Sequence, residues 1–230
     1  MVLSFTSNQF PKRGVQALLY LALALIVIGV SFYIFVELAD EVAEQEKFAL
    51  DRRTADAVAS MQTGWLDTAM AVITEIGSVP WLTAGSILLA VCIFFAYRRK
   101  WWRLLYFAVA MIGISILTKT LKLTFERQRP DVLQQHDGTG FSFPSGHSTG
   151  PIVFYGFIVY LVFRSSMSGT AKWLLNGALV LLTLLIGFSR VYLNVHYITD
   201  VIGGFALGLS WLVVCLLVLE LSLWRRKRTA

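Results

Sequence analysis

Three short stretches of this 230-residue chain gather residues suited to handling an anionic group. The first is Lys122-Leu-Thr-Phe-Glu-Arg-Gln-Arg129-Pro130. Lys122 and Arg129 are seven apart, so a continuing helix sets both cations on one face. The second is Phe143-Pro144-Ser145-Gly146-His147-Ser148, directly before an apolar run. Ser145 suits the cap of that helix, Gly146 permits close backbone approach, and helix N-termini attract anions. His147 adds a group that exchanges protons near neutral pH. The third is Ser189-Arg190, followed by His196 and Asp200. Four residues apart at the start of a helix, His196 and Asp200 share a face, where the carboxylate can fix the ring's tautomer and stabilise its cation. Each stretch alone has a bland reading: cations snorkelling to lipid, an ordinary capped helix, a structural His–Asp pair. Together, Lys122, Arg129 and Arg190 form a cationic cradle for a phosphoryl group, and two histidines allow nucleophilic attack and leaving-group protonation by separate residues.

The elements that must carry these residues are membrane helices. Hydrophobic residues make up 57% of the chain and charged residues 15%, against about 45–50% and 25% in soluble domains. The apolar residues fall in six runs: Gln16–Leu38, Trp81–Tyr97, Trp101–Leu121, Ser148–Phe163, Trp173–Phe188 and Tyr197–Leu223. Each is long enough to cross most or all of a hydrocarbon core about 30 Å thick. The first is too long for a signal-peptide core and ends in bulky Phe32, Tyr33 and Phe35, so it reads as a retained helix. Tryptophans 65, 81, 101, 102, 173 and 224 lie near span ends or in flanking segments, as interfacial rings do. The fold class expected is an all-α, polytopic bundle of six transmembrane helices in a single domain.

Loop charge sets the orientation. Lys12 and Arg13, Arg98 to Lys100 with Arg103, Arg164 with Lys172, and Arg225 to Arg228 all fall on one side of a six-span chain. That side is expected to be the cytoplasm, with both termini in it. The net charge of +6 therefore reads as membrane orientation and not nucleic-acid binding. All three chemical stretches fall on the opposite side. So does residues 38–80, which holds Asp40, Glu41, Glu44, Glu46, Asp51, Asp56, Asp67 and Glu75. Its apolar residues recur at helical spacing as Ala39, Val42, Ala43, Leu50, Ala57 and Met61, then Trp65, Leu66, Ala69, Met70 and Ile73. One or two amphipathic helices along the outer interface are expected, either capping the bundle or walling a substrate entrance.

The three stretches, in this order and at these spacings, resemble the three-part signature of the type 2 phosphatidic acid phosphatase superfamily. A short six-span chain is similar to the bacterial phosphatidylglycerophosphatase B type. The resemblance implies a lipid phosphatase working without metal or other cofactor. It implies that His196 is the nucleophile that becomes a phosphohistidine, that Asp200 orients it, and that His147 protonates the leaving oxygen and then activates water. Lys122, Arg129, Arg190, Ser145 and the Gly146 amide would hold the phosphoryl oxygens. An outward site suits recycling of undecaprenyl pyrophosphate slightly better than phosphatidylglycerophosphate; a broad phosphatidate-type glycerolipid phosphatase is the alternative.

Readings from other classes are a phosphate or lipid transporter, a metal site on His147, His196 and Asp200, and a vanadate-type haloperoxidase. The charges cluster at one face and not at mid-membrane, and no inverted repeat is evident, which argues against transport. The haloperoxidase relatives are soluble. Cys92 and Cys215 lie in apolar runs and read as buried packing residues, not a disulfide. His136 reads as a solvent-exposed loop residue. Gly204 and Gly208 form a GxxxG pattern suited to packing within the bundle. Lys119, one turn before Lys122, reads as snorkelling to the interface, with a wider phosphate cradle as its alternative.

Overall fold

The computed structural model describes residues 10–45, 48–97, 100–130 and 140–228, with side chains from 16 to 225 of these. His136 and the Arg98–Arg99 pair lie outside the described residues, as do the side chains of Lys12, Arg13 and Arg226 to Arg228. The chain is built from helices α1 (Phe10–Ala43), α2 (Ala49–Ala59), α3 (Gly64–Glu75), α4 (Val79–Ala96), α5 (Lys100–Phe125), α6 (Gly146–Phe163), α7 (Gly169–Tyr192) and α8 (Ile198–Arg228). Six of them, all but α2 and α3, are long and apolar enough to cross a membrane.

Several helices outrun their apolar stretches. The first continues to Ala43, the third span to Phe125 and the fifth to Tyr192. Hydrophobicity ends where the hydrocarbon would end, but backbone hydrogen bonding continues past it. Ser189 and Arg190 consequently belong to the last turns of α7 and not to a connection. Conversely, α5 stops at Phe125, and Glu126 takes a positive φ of 47° that turns the chain out of the helix. The expectation that Arg129 continues the face of Lys122 on one helix is therefore wrong; Arg129 reaches its neighbours from the segment after the turn.

Helices α6 and α8 form the centre, and α8 also packs on α1 and α5. The contact between α6 and α8 is close because α8 carries Gly204 and Gly208. A Cβ on Gly204 would lie 2.8 Å from Ser148 Cβ and 2.9 Å from the Ser145 carbonyl oxygen; one on Gly208 would lie 3.0 Å from the Thr149 carbonyl oxygen. The GxxxG pattern thus serves packing inside the bundle. At the periphery, α4 buries only Leu82 and Ile93. Cys92 on this helix is exposed, contrary to the expectation that both cysteines are buried, because α4 turns that face away from the bundle; Cys215 is buried, and both thiols are free.

The two outer helices α2 and α3 pack against α7, and α2 also touches α8. The buried face of α2 differs in phase from the stripe read in sequence, whereas the α3 stripe turns Met70, Leu66 and Ile73 inward as expected. Leu50 and Met61 are about half exposed, whereas Asp51 and Val58 are buried. In α3 the buried residues are Met70 and Thr74. A carboxylate and a hydroxyl thus face inward, towards the ends of α7 and α8.

Candidate active site

The loop before α6 is pinned by Phe143. Its ring is fully buried, stacks on Phe35 of α1 at 5.7 Å between centroids and meets Phe125 of α5 edge-on at 5.3 Å. Gly203 of α8 makes the room: a Cβ there would fall 2.6 Å from the Phe143 ring. With this anchor in the core, the polar neighbours on either side, Ser142 and Ser145, are carried to the end of α8.

His196 precedes α8, and Asp200 lies in its first turn. The ring's Nδ1 is 3.3 Å from Asp200 Oδ2 and 3.2 Å from Ser142 Oγ, and its Nε2 is 3.2 Å from Arg129 Nη1. A guanidinium only donates, so Nε2 carries the lone pair and Nδ1 carries the hydrogen. Nδ1–H then donates to the carboxylate. His196 is 3% exposed. Burial drives its pKa down to about 3, with Arg129 and Lys122 adding to the fall and Asp200 opposing it. The result is a neutral imidazole at physiological pH, the state that can act as a nucleophile.

Asp200 is fully buried and its carboxylate is saturated. Oδ1 accepts from Arg127 Nη1 at 2.5 Å, and Oδ2 accepts from the Tyr197 amide at 2.9 Å and from the Ser142 hydroxyl. Its main-chain carbonyl also accepts from the Ser145 amide at 3.1 Å. One residue therefore fixes both His196 and the start of α6.

Ser145 occupies the cap position of α6, but its hydroxyl does not cap the helix. The helix is opened by its carbonyl, which accepts from the amides of Ser148 and Thr149. The hydroxyls of Ser145 and Ser148 are buried without a hydrogen-bond partner among the described residues. Buried orphans of this kind call for a ligand or water to satisfy them. A Cβ on Gly146 would meet nothing within 4 Å, so its first-turn amide is approachable.

The cations come from three directions. Lys122 Nζ donates to the carbonyls of Phe141 and, at 3.2 Å, Ser142. Arg129 donates to the Gly140 and Val195 carbonyls, each at 2.8 Å. Arg190 is 1% exposed and donates to Thr74 Oγ1 of α3 at 2.8 Å. His147 lies within electrostatic reach of Arg190, His196, Arg129 and Lys122. All eight residues singled out in sequence therefore gather at one end of the bundle. Such a cluster of fixed donors around a neutral imidazole is suited to binding and transferring a phosphoryl group. Among the described residues, no three His, Cys, Asp or Glu side chains are grouped so as to hold a metal ion.

A cavity of about 820 Å³ opens from this end. Lys122, Lys119, Gly146 and His147 line it at this end, and apolar residues of α4 and α5 line it as far as Leu104 and Phe107. Lys119 is exposed and borders the cavity beside Lys122.

Sequence reasoning missed Ser142, Arg127, Asp51, Thr199 and Thr74. Asp51 gave a signal: it is seven residues from Val58, which puts a carboxylate on the helix face that also carries an inward apolar residue. Arg127 lies between Lys122 and Arg129 with nothing in its type to separate it from Arg129.

A family model described as PAP2 superfamily matches residues 103–224. Phosphatidylglycerophosphatase B of Bacillus subtilis is 34% identical over 184 residues, 77% of this chain and 87% of that protein. The undecaprenyl-diphosphatase BcrC of the same organism is 31% identical over 151 residues, 63% of this chain and 70% of that protein. Among solved structures, the transmembrane PAP2 type phosphatidylglycerolphosphate phosphatase of B. subtilis superposes with a TM-score of 0.72 at 32% identity, covering 82% of this chain and 93% of that one. With the family model matching over half of the chain and a helical membrane fold shared over most of it, the chain belongs to the PAP2 superfamily and is a multi-pass membrane phosphatase acting on phosphate esters or diphosphates.

Proposed function

We propose that this enzyme removes the terminal phosphoryl group of undecaprenyl pyrophosphate, phosphatidylglycerophosphate or both, at the outer face of the membrane, through a phosphohistidine on His196. The observation that carries this reading is the state of His196: Nδ1–H held by Asp200, Nε2 unprotonated, and Nε2 already in contact with a cation of the phosphate cradle. As a phosphoryl group arrives, Arg129 turns from Nε2 onto a phosphoryl oxygen. Nε2 then attacks phosphorus, and the bond to the lipid oxygen breaks. His147 donates a proton to that oxygen, which leaves as a lipid alcohol or, from a diphosphate, as a lipid monophosphate. Water next attacks the phosphohistidine, His147 takes its proton, and inorganic phosphate departs with His196 restored. Lys122, Arg129, Arg190, the Ser145 hydroxyl and the Gly146 amide stabilise charge on the equatorial oxygens.

The cavity supports a lipid substrate. From Lys122 to Leu104 the wall runs along nineteen residues of α5, roughly 27 Å at the helical rise. That length suits a hydrocarbon chain lying along the bundle with its phosphate at the Lys122 end. The outward orientation rests on the loop charges: the site shares an end of the bundle with α2 and α3, opposite the basic loops.

The test is phosphate release by purified protein from undecaprenyl pyrophosphate, phosphatidylglycerophosphate and phosphatidate, with orthovanadate or EDTA added. Turnover of the first two, inhibition by vanadate, indifference to EDTA and loss of activity in His196→Ala are expected. Strong EDTA sensitivity without vanadate inhibition would remove the phosphohistidine mechanism, and a preference for phosphatidate would shift the substrate to glycerolipid monoesters.

A further inference from the structure

We propose that Asp51 of the outer helix α2, acting through Arg127, is a positioning residue for the His196–Asp200 pair. This rests on the reading of His196 as the nucleophile. The basis is a continuous network joining buried Asp51 and Asp200 through the largely buried Arg127. Arg127 Nη2 donates to Asp51 Oδ2 at 2.7 Å, while Nη1 donates to Asp200 Oδ1 at 2.5 Å and to Thr199 Oγ1 at 2.8 Å. One guanidinium thus bridges a carboxylate on α2 and the carboxylate that holds the imidazole.

Asp51 is the buried charge of α2; Arg52, Arg53 and Asp56 are exposed. A buried carboxylate is costly unless it is fully bonded. Here it also accepts from the Thr199 amide at 3.1 Å and from the Thr199 hydroxyl at 3.0 and 2.9 Å. The Thr199 amide is one of the first donors of α8, which no carbonyl within the helix can satisfy. Asp51 therefore serves as a cap supplied from another helix, and it fixes the turn on which Asp200 rides. Arg127 is confined further by the Tyr197 and Phe48 rings, 4.3 and 5.1 Å from its guanidinium carbon. Its planar fork is what allows one side chain to meet both acids in fixed directions.

The bridge has a chemical consequence. Asp200 alone would favour an imidazolium at His196; Arg127 offsets that charge from the far side of the carboxylate. The groups facing His196 are Asp200 from α8, Lys122 from α5, Arg129 and Ser142 from the segment between α5 and α6, and His147 from α6, while the Arg190 carbonyl of α7 accepts from the His196 amide at 3.2 Å. Among these, Asp200 is the acid, and Arg127 is the cation bonded to it.

The experiment uses full-length protein in detergent, with phosphatidylglycerophosphate as substrate, and the variants Asp51→Asn, Arg127→Gln, Arg127→Lys and Asp51→Asn/Arg127→Gln. Asp51→Asn and Arg127→Gln should each lower kcat roughly ten- to a hundredfold with KM little changed, since a positioned group and not a phosphate contact is lost. The double variant should be no worse than Arg127→Gln. In a His136→Ala/His147→Ala background, His196 is the remaining histidine, and its NMR titration reads the network without any turnover. Arg127→Gln should raise its pKa by about one unit or more, and Arg127→Lys should keep it low while restoring only part of kcat. Should Arg127→Gln not fold, the Lys variant and Asp51→Asn carry the kinetic test and the Lys variant the titration. Wild-type kcat in the Asp51 and Arg127 variants, or an Arg127→Gln titration unchanged from wild type, would overturn the proposal. Substantial turnover by His196→Ala would overturn the nucleophile assignment instead, leaving the titration to report on the network.

Discussion

Replacing Gly204 with alanine tests whether the central helix pair sets the catalytic geometry. The new Cβ would lie 2.9 Å from the Ser145 carbonyl oxygen and 2.8 Å from Ser148 Cβ, where ordinary contact begins at 3.4 Å. The shortfalls are 3.4 minus 2.9, or 0.5 Å, and 3.4 minus 2.8, or 0.6 Å. Neither neighbour can rotate away: the carbonyl is main chain and opens α6 by accepting from Ser148 and Thr149. The first turn of α6 must therefore move by about half an ångström, against the 3.1 Å bond from the Ser145 amide to the Asp200 carbonyl. Overpacking of this kind costs about 1–3 kcal/mol. A 1 Å misplacement of a catalytic group can cost about a hundredfold, so half that displacement should lower kcat about tenfold. The assay is phosphate release with a parallel thermal melt. Gly177→Ala is the control: a Cβ there meets nothing within 4 Å, and alanine should gain up to about 1 kcal/mol in mid-helix. Wild-type turnover and melting of Gly204→Ala would refute the reasoning that α8 fixes the start of α6.

Acid should leave His196 neutral well below the usual imidazole range. In the single-histidine protein its NMR titration should place the pKa near 3, and a midpoint above 6 would contradict its burial between Asp200 and the cations. The folded pKa lies below the unfolded value of 6.5; acidification through that window favours the unfolded state, which binds the proton first, so stability should fall from pH 6.5 towards 3. Arg190→Ala should weaken turnover and vanadate affinity together by about 2–4 kcal/mol, since one donor serves both; loss of turnover with unchanged vanadate inhibition would assign Arg190 to structure alone. In a Cys92→Ala/Cys215→Ala background, a cysteine at Ser60 should react with an impermeant thiol reagent in intact cells and one at Ser168 should not; the reverse pattern would invert the topology.

The six spans were legible because the bilayer demands a long uninterrupted apolar run, and sequence displays that directly. The three motif stretches were legible because costly polar residues stood at span ends. What misled was helix continuity. The periodicity that joined Lys122 to Arg129 assumed that α5 continued, yet Glu126 breaks it with a left-handed backbone that the residue type does not advertise. For α2, the apolar stripe through Leu50 and Met61 pointed outward, because the buried side of this short helix meets polar helix ends and not a hydrocarbon core. Hydrophobic patterning finds the face that fits an apolar partner. It has no means of finding one that fits Arg127 and Thr199.

The same limit explains why the site was readable as a set of reacting groups but not as a mechanism of placement. His196, Asp200, His147 and the three cations announce themselves by chemistry. Ser142, Arg127 and Asp51 are ordinary polar residues whose significance lies in contacts across 54, 73 and 148 positions: Ser142 with His196, Arg127 with Asp200, Asp51 with Thr199. Such contacts exist only once the bundle has assembled, with Phe143 seated beside Gly203 and α6 lying on Gly204 and Gly208. Packing and chemistry are therefore coupled in one direction. The small residues of α8 let the loop before α6 approach, that approach brings Ser142 to the imidazole and Ser145 to the Asp200 carbonyl, and the imidazole acquires its tautomer from the carboxylate so held. A substitution that opens the α6–α8 contact should thus impair the proposed nucleophile, His196, without touching any residue proposed to hold the phosphate.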